Sequence, residues 1–328
     1  MMGIFEMYKG ILSTIGNTPL VKLERIFKGA RFNFFAKLEY FNPGGSIKDR
    51  TALNMISDAL ETGRIGKDSV VIESSSGNLG IGLAQACSFF GLRFICVVDS
   101  KTTRHVVGLL RAYQAEVVVV NEPDPATGEF LPARIKRVKD LLNSIPNAFW
   151  CNQYANLANP AAHHRTMQEI CESLDGRVDY LFCATSTCGT LRGCSEYAKA
   201  NGVRARIVAV DARGSVLFDR NHRTRLIPGH GISIMPEIFK PGIQDEYILV
   251  SDSDCIKGCR RLLQAEAILA GGSAGGVISA IERKAAEIRE ASNCVAILAD
   301  GGERYLDTIY SDSWVSEHFG NLLEYEIS

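Results

Sequence analysis

The chain lacks an excess of either charge: 36 lysines and arginines face 37 aspartates and glutamates, a formal net charge of −1 over 328 residues. That balance leaves no electrostatic footprint for nucleic acid or for an acidic membrane. Long hydrophobic runs are missing too, and none approaches the ~20 residues a bilayer-spanning helix needs. The opening MMGIFEMYKG has neither the basic stretch nor the long apolar stretch of a secretory signal. A soluble cytoplasmic protein with no nucleic-acid and no membrane partner is expected. Ten cysteines are present, but no CxxC pair occurs among them. Cys255 and Cys259 stand four apart without a histidine or second cysteine pair at ligand spacing, so no metal is expected. Cys87, Cys96, Cys183 and Cys294 lie in apolar segments and read as small buried hydrophobes. No GxxxxGK[ST] and no GxGxxG pattern appears, which removes a nucleotide loop and a nicotinamide dehydrogenase. Internal repeats and low-complexity segments are absent as well.

What is present is an alternation. At 46% hydrophobic residues the chain has enough apolar material for a sizeable core, and its length suits two domains. β-Branched runs at 70–72, 94–98, 117–120, 148–151, 180–183, 207–210 and 295–298 predict strands. Helical periodicity predicts helices over 52–60, 79–90, 103–113, 132–142, 160–174, 191–199, 254–266 and 277–289. Strand–helix alternation of this kind predicts an α/β protein with parallel-rich twisted sheets covered by helices on both faces. The segments 121–128 and 220–242 read as loops, and long irregular loops in compact domains are often functional.

Four small-residue turns precede predicted helices. The first, NPGGSIKDR, puts Lys48 in the first turn of a helix. The positive end of the helix dipole and burial would both lower the pKa of that amine and favour the neutral nucleophile. Taken alone, the same residues also describe a surface lysine beside Asp49. The second turn, Ser74-Ser75-Ser76-Gly77-Asn78-Leu79-Gly80, offers amides and hydroxyls to an anion such as a carboxylate, or is an ordinary N-cap. The third, Thr185-Ser186-Thr187-Cys188-Gly189-Thr190, offers the same groups to a phosphate, or is a threonine-capped helix start. In the fourth, Gly271 to Gly276, five small residues surround Ser273. They either let a flat ring approach the backbone or serve tight helix packing.

In this order, the four turns resemble the fold-type II pyridoxal-phosphate (PLP) enzymes, and among them the cysteine synthase/cystathionine β-synthase family (tryptophan synthase β-like fold). Ile15-Gly16-Asn17-Thr18-Pro19-Leu20, Lys37-Leu38-Glu39, Asn152-Gln153-Tyr154 and Asn159-Pro160 add to the resemblance, which runs from Leu12 to Tyr310. It implies a larger PLP-binding domain, 1–50 plus 156–328, and a smaller movable domain, 51–155, in a homodimer. It also implies that Lys48 forms the Schiff base and shuttles the Cα proton, and that Asn78 contacts the cofactor's 3'-oxygen. Ser186, Thr187, Cys188, Gly189 and Thr190 would bind its phosphate, and Ser273 its ring nitrogen. Ser75, Ser76, Gly77 and Gln153 would receive the substrate carboxylate. A neutral hydroxyl at the ring nitrogen makes the cofactor a weaker electron sink, which suits β-replacement.

The chain departs from a plain cysteine synthase at Ser186 and Cys188, where that family carries glycines in a loop close to GTGGT, and at Tyr154, where phenylalanine is usual. With the segments around Glu122, Arg134 and Gly302–Asp307, these features resemble a narrower subgroup, the N-(2-amino-2-carboxyethyl)-L-glutamate synthases of 2,3-diaminopropionate and siderophore biosynthesis. That resemblance implies O-phospho-L-serine as donor and L-glutamate as acceptor, with Arg134 gripping the substrate phosphate. Arg134 is otherwise part of a solvated basic helix face. A cysteine synthase using O-acetylserine or O-phosphoserine with sulfide, and a non-catalytic binding protein on the same scaffold, remain the alternatives.

Overall fold

The computed structural model describes residues 9–322 apart from 220 and 222. Most of the MMGIFEMYKG opening and the first residue of the 220–242 loop therefore lie outside the described residues.

Two sheets organise the chain. Val70–Ser74 (β3), Arg93–Asp99 (β4), Glu116–Val120 (β5) and Ala148–Trp150 (β6) form a four-stranded sheet in the order β5-β4-β3-β6, every pairing parallel. Leu20–Leu23 (β1), Asn33–Leu38 (β2), Tyr180–Ala184 (β7), Arg206–Ala212 (β8), Glu246–Val250 (β9) and Asn293–Leu298 (β10) form the other, in the order β1-β2-β10-β7-β8-β9. Only the β1–β2 edge pair is antiparallel. The helices are Lys48–Glu61 (α1), Asn78–Phe90 (α2), Arg104–Ala112 (α3), Phe130–Ser144 (α4), Ala158–Ser173 (α5), Gly189–Ala200 (α6), Asp252–Glu266 (α7), Gly272–Lys284 (α8) and Asp312–Phe319 (α9).

Alternate strand residues serve opposite faces, as the pleat requires. Tyr180, Phe182, Val208 and Val210 join one core cluster, while Leu181, Cys183, Ile207 and Ala209 join another. The smaller sheet divides in the same way, with Phe94, Cys96 and Val98 on one side and Ile95 and Val97 on the other. Both faces of both sheets are therefore covered, which is why the strands read as continuous apolar runs. Local signals end and begin the helices: α2 stops at Gly91 in the left-handed conformation (φ 67°), and α7 opens on a Ser251–Asp254 capping box.

Several elements differ from the sequence expectation. Strands β1, β2 and β9 were not expected. In β1 two of four residues are exposed, and β2 carries a fully buried lysine, Lys37, in what would otherwise be an apolar strand. Edge strand β9 is largely half-exposed. Helix α8 spans Gly272–Lys284 instead of 277–289, so glycines that read as a turn are helical here.

Beneath the turn that carries Lys48 lies a buried ion network. Arg50 donates to Glu39 through Nε (2.7 Å) and Nη2 (2.9 Å), and to Glu169 through Nη1 (2.8 Å) and Nη2 (2.7 Å). Lys37 Nζ donates to Glu169 Oε2 at 2.7 Å and to the Thr18 carbonyl at 2.6 Å. Burial pushes the Glu169 pKa up, but the hydrogen bonds and charges of Arg50 and Lys37 outweigh it and hold the pKa at about 2. A depressed carboxylate stabilises the fold above its unfolded pKa, and that stability is lost as pH falls through the folded value. Glu169→Gln leaves two buried cations with one counter-ion and is expected to lower unfolding free energy by about 3–5 kcal/mol. Urea denaturation at neutral pH measures the loss. Over the window from pH 4.5 to about 2, wild type should lose stability more steeply than the variant.

Candidate active site

Loops at the carboxyl ends of β3, β7 and β10 converge with the turn before α1, the usual place for a ligand in an open parallel sheet. Ile47 N donates to the Ala299 carbonyl at 2.8 Å, which seats Lys48 against the end of β10. The lysine is partly buried and lines one cavity with Ser186, Thr187, Cys188, Gly189, Thr190 and Ser273. Burial lowers its pKa, while Cys183, Asp300 and Cys188 act in the other direction. The alternative of a surface lysine paired with Asp49 does not hold. The Asp49 carboxylate turns back to accept from Gly44 N at 2.6 Å, and burial raises its pKa to about 7.

Helix α6 opens on Cys188 in the left-handed conformation (φ 67°), with no side chain capping it. Its first-turn amides have no carbonyl partner within the helix and carry the positive end of the dipole, so they face the cavity as an anion cradle. A cysteine stands here despite the unfavourable φ. Gly189 cannot be replaced in the same way, because a Cβ there would lie 2.0 Å from Asn159 Oδ1. Asn159 ties the cradle together: its Nδ2 donates to Thr187 Oγ1 (3.2 Å) and to the Gln153 carbonyl (2.7 Å). Fully buried His163 meets both Thr51 and Thr190 hydroxyls through Nε2, at 3.1 and 3.3 Å, and burial holds its pKa well below the usual value.

The glycines around Ser273 sit in close packing contacts with α7 and with the 220–242 loop. A Cβ on Gly275 would sit 1.9 Å from the Cys255 carbonyl, and one on Gly272 would sit 2.3 Å from Ile227 Cγ2. Ser273 alone of that turn lines the cavity.

Across the cleft, Ser75 Oγ accepts from Gly80 N in the first turn of α2 at 2.9 Å, which leaves its proton available. Gly77 has open space around its Cα. Buried Gln153 places Nε2 3.4 Å from the Ser74 carbonyl and 3.5 Å from the Tyr154 hydroxyl, which brings the serine turn and the 152–154 turn together. Behind them lies Glu73, which accepts from Trp150 Nε1 (3.1 Å), Ser74 N (2.7 Å) and Gln153 N (3.2 Å). Burial raises its pKa to about 7 against those bonds and the charge of Arg134.

Arg134 is 9% exposed, whereas Lys136, Arg137 and Lys139 on the same helix are exposed. The solvated-face alternative therefore describes its neighbours and not Arg134. Its Nε lies 3.4 Å from Asp99 Oδ2, but neither Nε nor Nη1 has a hydrogen-bond partner among the described residues. The guanidinium is close enough to Tyr154 to oppose the rise that burial gives its phenol pKa.

The sequence alone assigns no role to Glu73, Asn159 or His163. Asn159 belongs to the Asn159-Pro160 pair, and a glutamate directly after the apolar run Val70-Val71-Ile72 is the sequence signal for Glu73.

The pyridoxal-phosphate dependent enzyme family matches residues 11–300. The chain belongs to that family. Similar solved structures include a cysteine synthase from Entamoeba histolytica, 34% identical over 94% of this chain and 93% of that one, with a TM-score of 0.87. An O-acetylserine-dependent cystathionine β-synthase from Helicobacter pylori is 29% identical over 94% and 100%, with a TM-score of 0.86. An O-ureido-L-serine synthase is 30% identical over 95% and 100%, with a TM-score of 0.84. The cofactor of the family is pyridoxal 5'-phosphate, and the uncapped α6 amides, the cavity-lining lysine and the Ser273 hydroxyl fit its phosphate, aldehyde and ring nitrogen. Among the described residues no group of three or more histidines, cysteines and acids could hold a metal ion, and no helix is long and apolar enough to cross a membrane.

Gly189→Ala, which drives a methyl group into Asn159, is expected to weaken pyridoxal phosphate binding at least about tenfold. Fluorescence titration of the cofactor-free protein checks this.

Proposed function

We propose that the protein condenses O-phospho-L-serine with L-glutamate to N-(2-amino-2-carboxyethyl)-L-glutamate and phosphate, a β-replacement. The observation that carries the reading is the buried Arg134 guanidinium, near Tyr154 and Glu73, with two nitrogens that lack a hydrogen-bond partner among the described residues. A buried cation without a full set of partners is destabilising on its own. A dianionic phosphate matches its fork, and an acetyl ester does not.

When bound, pyridoxal phosphate supplies the electron sink that lets the Cα proton and the β-substituent leave. Ser186, Thr187, Cys188, Gly189 and Thr190 hold its phosphate, Lys48 its aldehyde carbon, Asn78 its 3'-oxygen and Ser273 its ring nitrogen. The substrate carboxylate is received by Ser75, Ser76, Gly77 and Gln153. Lys48, whose pKa burial lowers, takes the Cα proton on Nζ and later returns it. Arg134 and Tyr154 hold the phosphate as the Cβ–O bond breaks and the electron pair leaves with it. The amine of glutamate then forms the Cβ–N bond and loses a proton. The 51–155 unit closes over the substrate and excludes water, and two copies of the chain form the active dimer in the cytoplasm.

A second reading, cysteine synthesis with sulfide as acceptor, is favoured by the 34% identity to the Entamoeba cysteine synthase. Product mass separates the two when O-phospho-L-serine is supplied with L-glutamate and sulfide together. A glutamate adduct absent from Lys48→Ala supports the first reading, and cysteine alone supports the second. Arg134→Gln is expected to lower kcat/KM for phosphoserine roughly 30-fold or more, with turnover of O-acetylserine little changed. Unaltered phosphoserine kinetics would remove Arg134 from the site.

A further inference from the structure

Asn78 opens α2 on the smaller sheet, yet its side chain is held from the other side of the cleft. Its Nδ2 donates to Asp300 Oδ2 at 2.8 Å, and its Oδ1 accepts from Arg304 Nη1. Both partners are anchored in turn. The Tyr305 hydroxyl donates to the same Asp300 oxygen at 2.7 Å, and Asp300 forms a β-bridge with Ser46. Arg304 Nη2 donates to the Gly44 carbonyl at 2.5 Å, so one guanidinium spans the lysine turn and the start of α2. Asp300 is 2% exposed, and burial raises its pKa against the bonds from Tyr305 and Asn78.

A primary amide has an acceptor end and a donor end, and a rotation by half a turn exchanges them at little cost unless the neighbours forbid it. Here they do. A guanidinium only donates, so it takes the oxygen, and a carboxylate accepts from the NH2 group. The reversed amide would set donor against donor and oxygen against oxygen in a buried place. With Oδ1 and one Nδ2 proton engaged, a single donor remains, the second Nδ2–H.

We propose that Asp300 and Arg304 are positioning residues that lock the Asn78 amide in one orientation and present its remaining N–H to the cofactor. The proposal rests on the reading that Asn78 touches the cofactor.

The test uses cofactor-free protein of wild type, Arg304→Gln, Asn78→Ala and the double variant. Each is titrated with pyridoxal phosphate without substrate, followed by fluorescence and by the visible absorption band. Arg304→Gln is expected to weaken binding about tenfold, the worth of one charge-assisted hydrogen bond, and to move the band in the direction Asn78→Ala moves it. The double variant should bind no worse than Asn78→Ala alone, because the guanidinium acts through the amide. Additive losses would overturn the proposal and leave Asn78 at the cofactor. So would an unchanged Arg304→Gln beside an altered Asn78→Ala. An unchanged Asn78→Ala would instead remove the cofactor contact itself, and the proposal with it. Should Arg304→Gln fail to fold, Asp300→Asn carries the same test. An amide at position 300 accepts either end of the Asn78 amide and leaves Arg304 as the one neighbour that resists the flip, so the band should move, and an unmoved band with wild-type affinity overturns the lock.

Discussion

Arg50 is the residue on which the geometry of the site hangs. It lies two positions after Lys48 on α1, and its guanidinium is filled by Glu39 from the turn after β2 and by Glu169 from α5. Thr18 and Asn42 complete Glu39 (2.8 and 2.9 Å), and Asn17 N completes Glu169 at 2.9 Å. Two cations and two anions out of water would be a liability with any partner missing. Fully bonded, they admit one arrangement of β2, α1, α5 and the segment before β1. Helix α5 also carries Asn159 and His163, which touch Thr187 and Thr190 of the anion cradle. The spacing between the lysine and the cradle is therefore transmitted through buried charge pairs and a few side-chain amide and hydroxyl contacts.

The two walls of the cleft are built differently. On the cradle side, helices meet at backbone distance. A Cβ on Gly193 would lie 2.1 Å from the Pro160 carbonyl, and one on Gly258 would lie 2.0 Å from the Gly275 carbonyl. Contacts that close have no slack, and any added methyl group is felt. Facing them, the serine turn, Gln153 and Asn78 are held by polar contacts near 3 Å, and Ser74 Oγ and two Arg134 nitrogens have no hydrogen-bond partner among the described residues. Polar, incompletely satisfied contacts can be exchanged for bonds to a ligand at little loss. A wall of that kind suits the part of the site that receives and releases substrate.

The repeating core was legible in the sequence because strands buried on both faces leave continuous apolar runs such as Phe94–Val98, and helices leave a 3.6-residue period. The elements that escaped were those whose pattern serves something other than a core. Lys37 interrupts β2 because it belongs to the ion network, and the glycines of 272–276 hide the first turn of α8 because α7 packs onto them. The same holds at the site. Residues grouped within one turn could be found by reading along the chain, whereas Asp300, Arg304, Glu73 and His163 act across long sequence separations, and only the fold brings them to their partners. Sequence could suggest that Arg134 differed from the rest of its basic cluster, but only burial separates it from Lys136 and Arg137.

On the proposed reading the site meets two anions, and it meets them with different groups. The cradle at α6 uses backbone amides and the helix dipole, which attract a phosphate without a mobile charge that must be solvated when the site is loaded or emptied. A resident group is well served by such fixed dipoles. The second anion, on the proposed reading, is a leaving group, whose charge must be met as it develops and then let go. A guanidinium does this in a way amides do not, because Asp99 stands 3.4 Å from its Nε. That carboxylate balances Arg134 when no phosphate is bound, which keeps a buried cation tolerable, and it competes with the phosphate afterwards, which limits how tightly product is held. Discrimination follows from the same arrangement. A donor without the second charge leaves Arg134 with its unfilled nitrogens, and a buried polar group denied its partner penalises the wrong substrate more than added contact rewards the right one.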